Sequence, residues 1–239
     1  MKSRRLIAMR LYGLIAFSLI VSVTPIKGFS QATPEGWLTI NRNNLCVTEG
    51  VIEKSSGDRL RVSVPKMRAY VTEPTAQSAE VHFNYLGATS KDAPLGSGIM
   101  RRQFGFKLHA QDPCNLVYAI WRIEPESKLV VSVKQNPTQH TSAECGHRGY
   151  QNIKPRKSSP VPRLEIGQSH TLRAEMKGDE LRVFVDNHPV WEGAVGSDAA
   201  GLDGPVGIRS DNAQIEFDLL VRKSNSTAGG RACKVGDSD

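Results

Sequence analysis

The stretch Thr171-Leu172-Arg173-Ala174-Glu175-Met176-Lys177-Gly178-Asp179-Glu180-Leu181-Arg182-Val183-Phe184-Val185-Asp186-Asn187 decides the fold. Leu172, Ala174 and Met176 alternate with Thr171, Arg173 and Glu175, and Leu181, Val183 and Val185 alternate with Arg182, Phe184 and Asp186. Period-two alternation marks strands with one buried side. The pair Gly178-Asp179 supplies a tight turn between them, and Asp186-Asn187-His188 supplies the next. Working outward, Val190-Trp191 continues the series. Gly204-Pro205-Val206-Gly207-Ile208-Arg209 follows, and then Ile215, Phe217, Leu219 and Val221 oppose Glu216, Asp218 and Arg222. Residues 167–223 therefore read as five consecutive strands of an antiparallel sheet.

The runs Gly167-Gln168-Ser169-His170-Thr171-Leu172-Arg173, Leu181-Arg182-Val183-Phe184-Val185-Asp186-Asn187 and Gly204-Pro205-Val206-Gly207-Ile208-Arg209-Ser210-Asp211-Asn212 resemble the closing strands of the concanavalin A-like lectin/glucanase jelly rolls. That superfamily includes laminin G-like modules, 3-keto-disaccharide hydrolases and several polysaccharide lyases. The likeness extends over residues 37–223 and is sharpest in the last quarter. It implies an all-β, antiparallel jelly-roll sandwich of two packed sheets and a carbohydrate ligand. It names no catalytic residue.

The N-terminus reads as an export signal. Lys2, Arg4, Arg5 and Arg10 precede an apolar stretch from Leu14 to Val23, and Ser30-Gln31-Ala32 offers small residues before a cut at Thr33. The apolar stretch is short of the roughly 20 residues a membrane-spanning helix needs. The expected organisation is thus a signal over residues 1–32, a jelly roll over 33–223 and a flexible tail over 224–239. The expected location is secreted or periplasmic, with no stable membrane insertion after the signal is removed. Residues 1–32 hold five Lys and Arg and no acid, so the formal charge of +7 falls to +2 without them. That balance, with no nucleic-acid-binding motif, argues against a nucleic-acid partner.

Cys46, Cys114, Cys145 and Cys233 form an even set in an exported chain, which favours two disulfides. Of three possible pairings, Cys114 with Cys145 and Cys46 with Cys233 are preferred. The first joins loops on either side of a hairpin, and the second ties the two ends of the sandwich. A zinc site at Cys114, Cys145 and His147 lacks the usual paired spacing. Ser210-Asp211-Asn212 offers oxygens that calcium accepts, but reads better as a turn between strands, so no metal or other cofactor is expected.

The ligand face is expected on three central strands. Phe104, Phe106 and Leu108 oppose Gln103, Lys107 and His109. Val117, Ala119, Trp121 and Ile123 oppose Tyr118, Ile120 and Arg122, and Val131 and Val133 oppose Ser132 and Lys134. If these strands are neighbours, Gln103, Lys107, His109, Tyr118, Arg122 and Lys134 gather on one polar, cationic surface. Residues 136–163 read as a long loop whose His140, His147, Arg148, Lys154, Arg156, Lys157 and Arg163 face only Glu144 in charge, with Tyr150 as a stacking ring. The chain is accordingly expected to bind an anionic polysaccharide.

Two enzymatic alternatives arise. A lyase needs a cation or amide to neutralise a uronate and a His or Tyr to move protons, which would make His109 and Tyr118 the pair. A glycoside hydrolase needs two carboxylates; Glu216-Phe217-Asp218 places two acids on one strand face, but the third acid of jelly-roll glucanases is missing, with Leu220 and Val221 in its place. A structural envelope domain without ligand is the remaining alternative.

Overall fold

The computed structural model describes residues 35–224 together with Cys233. The export signal and most of the tail lie outside the described residues. In chain order the strands are β1 (Trp37–Ile40), β2 (Leu45–Glu49), β3 (Glu53–Lys54), β4 (Leu60–Val62), β5 (Lys66–Val71), β6 (Thr75–Ala88), β7 (Arg102–Asp112), β8 (Asn115–Glu124), β9 (Lys128–Lys134), β10 (Tyr150–Asn152), β11 (Lys157–Ser158), β12 (Ser169–Lys177), β13 (Glu180–Val185), β14 (His188–Ala194), β15 (Gly207–Asp211) and β16 (Ala213–Lys223).

They form two antiparallel sheets. The first runs β11-β14-β13-β12-β6-β16-β4-β3, with β1 also paired to β16; the second runs β10-β9-β8-β7-β15-β5-β2. Neither closes into a barrel, so the chain is an antiparallel jelly-roll sandwich. The five strands read from residues 167–223 are β12 to β16, but β15 belongs to the second sheet and carries the chain between layers. Positive φ angles at Asp186 and Asn187 make the two-residue turn between β13 and β14, and Asn212 at φ 55° turns β15 into β16. The segment 136–163 is not loop throughout: β10 adds an edge strand to β9, with Tyr150 opposite Lys134.

The core lies between the layers. Phe83 on the first sheet meets Phe104 at 5.5 Å and the edge of Trp121 at 5.8 Å on the second. Phe217 reaches Phe104 at 5.8 Å. Leu172, Leu181, Val183, Val185, Ile215, Leu219, Phe106 and Leu108 are buried in the same cluster, and Met176 packs against it half-buried. Such aromatic pairs add to the free energy of the apolar area they remove from water. Trp121 and Trp191 are both buried here, so neither serves as an exposed sugar platform. Trp121 satisfies its indole N–H on Ser127 Oγ at 3.0 Å.

Both expected disulfides are present. Cys114 and Cys145 have Cα atoms 5.9 Å apart, and Cys46 and Cys233 5.2 Å apart.

Candidate functional site

Strands β7, β8 and β9 are neighbours, as the alternation required, and their polar positions share the face of the second sheet turned away from the core. A cavity of about 420 Å³ opens on this face. Gln103, Tyr118, Arg122 and Lys134 line it; Lys107 and His109 are not among its lining residues. Lys107 is buried on β7. His109, at φ 46°, bends away: its Nδ1 meets the Leu202 carbonyl at 2.6 Å, and its backbone N–H donates to Gln77 Oε1. Burial holds the His109 imidazole below its ordinary pKa, against the hydrogen bond to Leu202 and the charge of Asp203.

The register carries the lining further than the three strands. Asp211 stands opposite Gln103 on one side and Lys66 on the other, and Arg209 opposite Gly105 and Arg68. Lys66, Arg68 and Arg209 line the cavity with Arg101, Glu49, Tyr150 and Asn152. Fully buried Asp211 anchors the floor. Its carboxylate accepts from Arg68 Nη2 at 2.6 Å, Arg209 Nε at 2.8 Å and Gln103 Nε2 at 2.7 Å. Burial alone would raise this carboxyl; the two guanidiniums and the Gln103 amide instead hold it well below the usual carboxylate range. Burial likewise pulls on Arg209, but Asp211 outweighs it and keeps the guanidinium firmly charged.

Arg209 sits on β15, with β7 between it and β8, yet its guanidinium lies 5.1 Å from the Tyr118 ring centroid. Gly105 occupies the intervening position. A Cβ there would fall 2.3 Å from the Ala119 carbonyl oxygen, so the close approach of β8 demands glycine, and the missing side chain leaves the path open. Tyr118 stacks on Tyr150 at 5.8 Å and 22°. Arg209 Nη1 donates to the Tyr150 hydroxyl at 3.4 Å, and Lys134 Nζ lies 5.2 Å from the Tyr150 ring. Lys134 is fixed by donating to the Pro113 and Gly146 carbonyls at 2.9 and 2.8 Å. Burial would raise the Tyr150 phenol, but Arg209 and Lys134 together, with a hydrogen bond from Tyr118, bring it below its ordinary value.

Six Lys and Arg thus line the cavity against one acid, Glu49. Glu49 and the buried Asp211 are committed to Arg68 and Arg209. What remains is a cationic pocket with a stacked tyrosine pair at one end and a half-exposed Tyr150 edge, suited to hydrogen-bond and stack on a hydroxylated, negatively charged ring. Sequence reasoning missed Arg68, Arg101, Arg209 and Lys66. Arg68 and Arg209 were legible as the polar alternates of Met67-Ala69 and Ile208, but only strand order brings them beside Gln103.

Elsewhere, Glu216 and Asp218 lie on the first sheet, not at the cavity. Arg59 pairs with both, at 2.9 and 3.1 Å. Asn212 Nδ2 donates to the Ala93 and Arg101 carbonyls, as befits a turn residue pinning the loop before β7.

No protein-family model and no curated protein matches the sequence. Among solved structures, a carbohydrate-binding module from Bacillus subtilis superposes with a TM-score of 0.47 over 76% of this chain and 91% of that one, at 14% identity. Domain 4 of an extracellular arabinanase from Geobacillus stearothermophilus, solved with arabinotriose, superposes with a TM-score of 0.44 over 77% of this chain and 84% of that one, at 11% identity. These are similarities of jelly-roll architecture, and no residue role is carried from them.

Proposed function

We propose that this chain is an exported carbohydrate-binding domain that holds an anionic polysaccharide in the cavity on the second sheet. The observation that carries the reading is the composition of that cavity: six Lys and Arg against one acid, beside the stacked Tyr118 and Tyr150. Two disulfides support export, since such bonds persist in oxidising compartments. Titration calorimetry against polygalacturonate and a neutral glucan tests it. The polyuronate should bind, and the neutral glucan should not. Affinity should fall as salt rises to physiological strength, where the Debye length shortens to about 8 Å. Arg122→Ala should weaken binding about tenfold or more, while Lys54→Ala, on β3 of the first sheet, should change nothing. Preference for the neutral glucan, or equal loss from both variants, overturns the reading.

One observation favours a polysaccharide lyase as the second reading. The acidified Tyr150 phenol stands between Arg209 and Lys134 and stacks on Tyr118, so proton transfer falls to the tyrosine pair; His109 does not line this cavity. Ultraviolet absorbance of an unsaturated uronate, produced by the wild type and absent from Tyr150→Phe, is the expected sign. Stable binding without product removes it.

A further inference from the structure

The arginines of the cavity divide into two kinds. Arg68 and Arg209 share Asp211. Arg101 and Arg122 have no ion pair and donate no side-chain hydrogen bond among the described residues. Every other described arginine that is buried or half-buried meets an oxygen: Arg42 on backbone carbonyls, Arg59 on Glu216, Arg61 on Gln214, Arg102 on Asp92 and Glu124, and Arg173 on Glu80 and Glu175. The contrast is sharpest between chain neighbours. Arg102 is held by two carboxylates and the Asn212 carbonyl, whereas Arg101 lines the cavity with none.

A half-buried guanidinium without a counter-charge is costly, and a second one beside it adds repulsion. Burial and then the charge of Arg101 both press the Arg122 guanidinium toward losing its proton. The one acid that opposes this, Glu126, is exposed and bound to Lys128 at 2.5 Å. Arg122 is set in the sheet opposite Gln103, whose amide is spent on Asp211. Leu95, Gly96 and Ser97 wall this end of the cavity. The arrangement is short of one anion, and a planar fork from each guanidinium matches an oxyanion well.

We propose that Arg101 and Arg122 form an oxyanion subsite that takes a carboxylate or a sulfate ester carried by the bound polysaccharide. The inference rests on the cavity being the ligand site and assigns its charge recognition to these two residues rather than to the neutralised Arg68 and Arg209.

The test has two arms. In thermal melts at low ionic strength, millimolar sodium sulfate should raise the Tm of the wild type above that in sodium chloride of matched ionic strength. It should not do so for the double variant Arg101→Gln/Arg122→Gln. In calorimetry, chondroitin supplies carboxylates alone and dextran sulfate supplies sulfate esters alone, and the probe that binds identifies the group. Each single variant should lose about tenfold, and the double less than the product of the two, because both guanidiniums serve one anion. Arg182→Gln, exposed on β13, is the control. An equal sulfate shift in wild type and double variant, or full affinity in both singles, overturns the subsite; the cavity reading then stands only if Tyr150→Ala still abolishes binding. A sulfate shift confined to the wild type, with no polysaccharide bound, keeps the anion subsite and overturns the polysaccharide reading.

Discussion

Arg209 Nε lies 2.8 Å from Asp211 Oδ2, two positions along one strand, so both side chains occupy the same face of the sheet and the pair forms within β15 itself. Arg68 joins from β5 at 2.6 Å. Asp211→Asn would leave two guanidiniums buried against a neutral amide, and is expected to cost about 3–5 kcal/mol in urea unfolding. The pH dependence follows from the direction of the shift. The folded carboxyl sits far below the roughly 3.9 of an unfolded Asp, so its stabilisation is fully present above about pH 5. It is lost as pH falls below about 4 toward the folded value. The wild type should therefore lose more stability than Asp211→Asn on acidification, and parallel curves would refute the clamp.

The tyrosines should titrate apart. Burial raises the Tyr85 phenol, and only partly do Arg102 and its hydrogen bond counter it, whereas Arg209 and Lys134 bring Tyr150 below its ordinary value despite burial. Ultraviolet difference titration of the folded protein should show one phenol ionising early. Lys134→Met should move that phenol upward, and an unchanged curve would separate Tyr150 from Lys134.

Cys114 and Cys145 enclose a segment that delivers Gly146, His147 and Tyr150 to the cavity. Replacing both cysteines by serine should cost about 3–4 kcal/mol by loop-closure entropy. It should also lower polysaccharide affinity, since the loop must then be ordered on binding. Retained affinity in the reduced variant would place recognition on the strands alone.

Phe217 is fully buried and touches Phe104 across the layers. Phe217→Ala should destabilise by about 3–5 kcal/mol, and a loss under about 1 kcal/mol would mean that the face is not packed.

The apolar half of this molecule was legible because period-two alternation is a local property. Phe104, Leu172, Val183 and Phe217 need only their own strand to declare a buried side, and both disulfides followed from export and parity. The polar half was legible only in part. Gln103, Tyr118, Arg122 and Lys134 were placed together because β7, β8 and β9 are consecutive hairpins. Arg68 and Arg209 arrive from strands about 140 residues apart, paired in register as Arg209 with Arg68, and no local pattern reports that. His109 departed from its expected face because the chain turns to positive φ there, which shifts the register of β7 against β8 after Leu108. Tyr150 was read as part of a loop, since a three-residue edge strand is too short for alternation to show.

The bond between Cys46 and Cys233 spans a sequence separation of 187 residues. Under mechanical tension applied through the two ends of the chain, force passes across this bond and stretches only what precedes Cys46. Roughly 650 Å of contour, at about 3.5 Å per residue, is withheld from extension. Both sheets and the cavity between residues 49 and 209 sit inside that closed ring, so a pull on the ends of the oxidised protein unzips β1 from β16 and then stops.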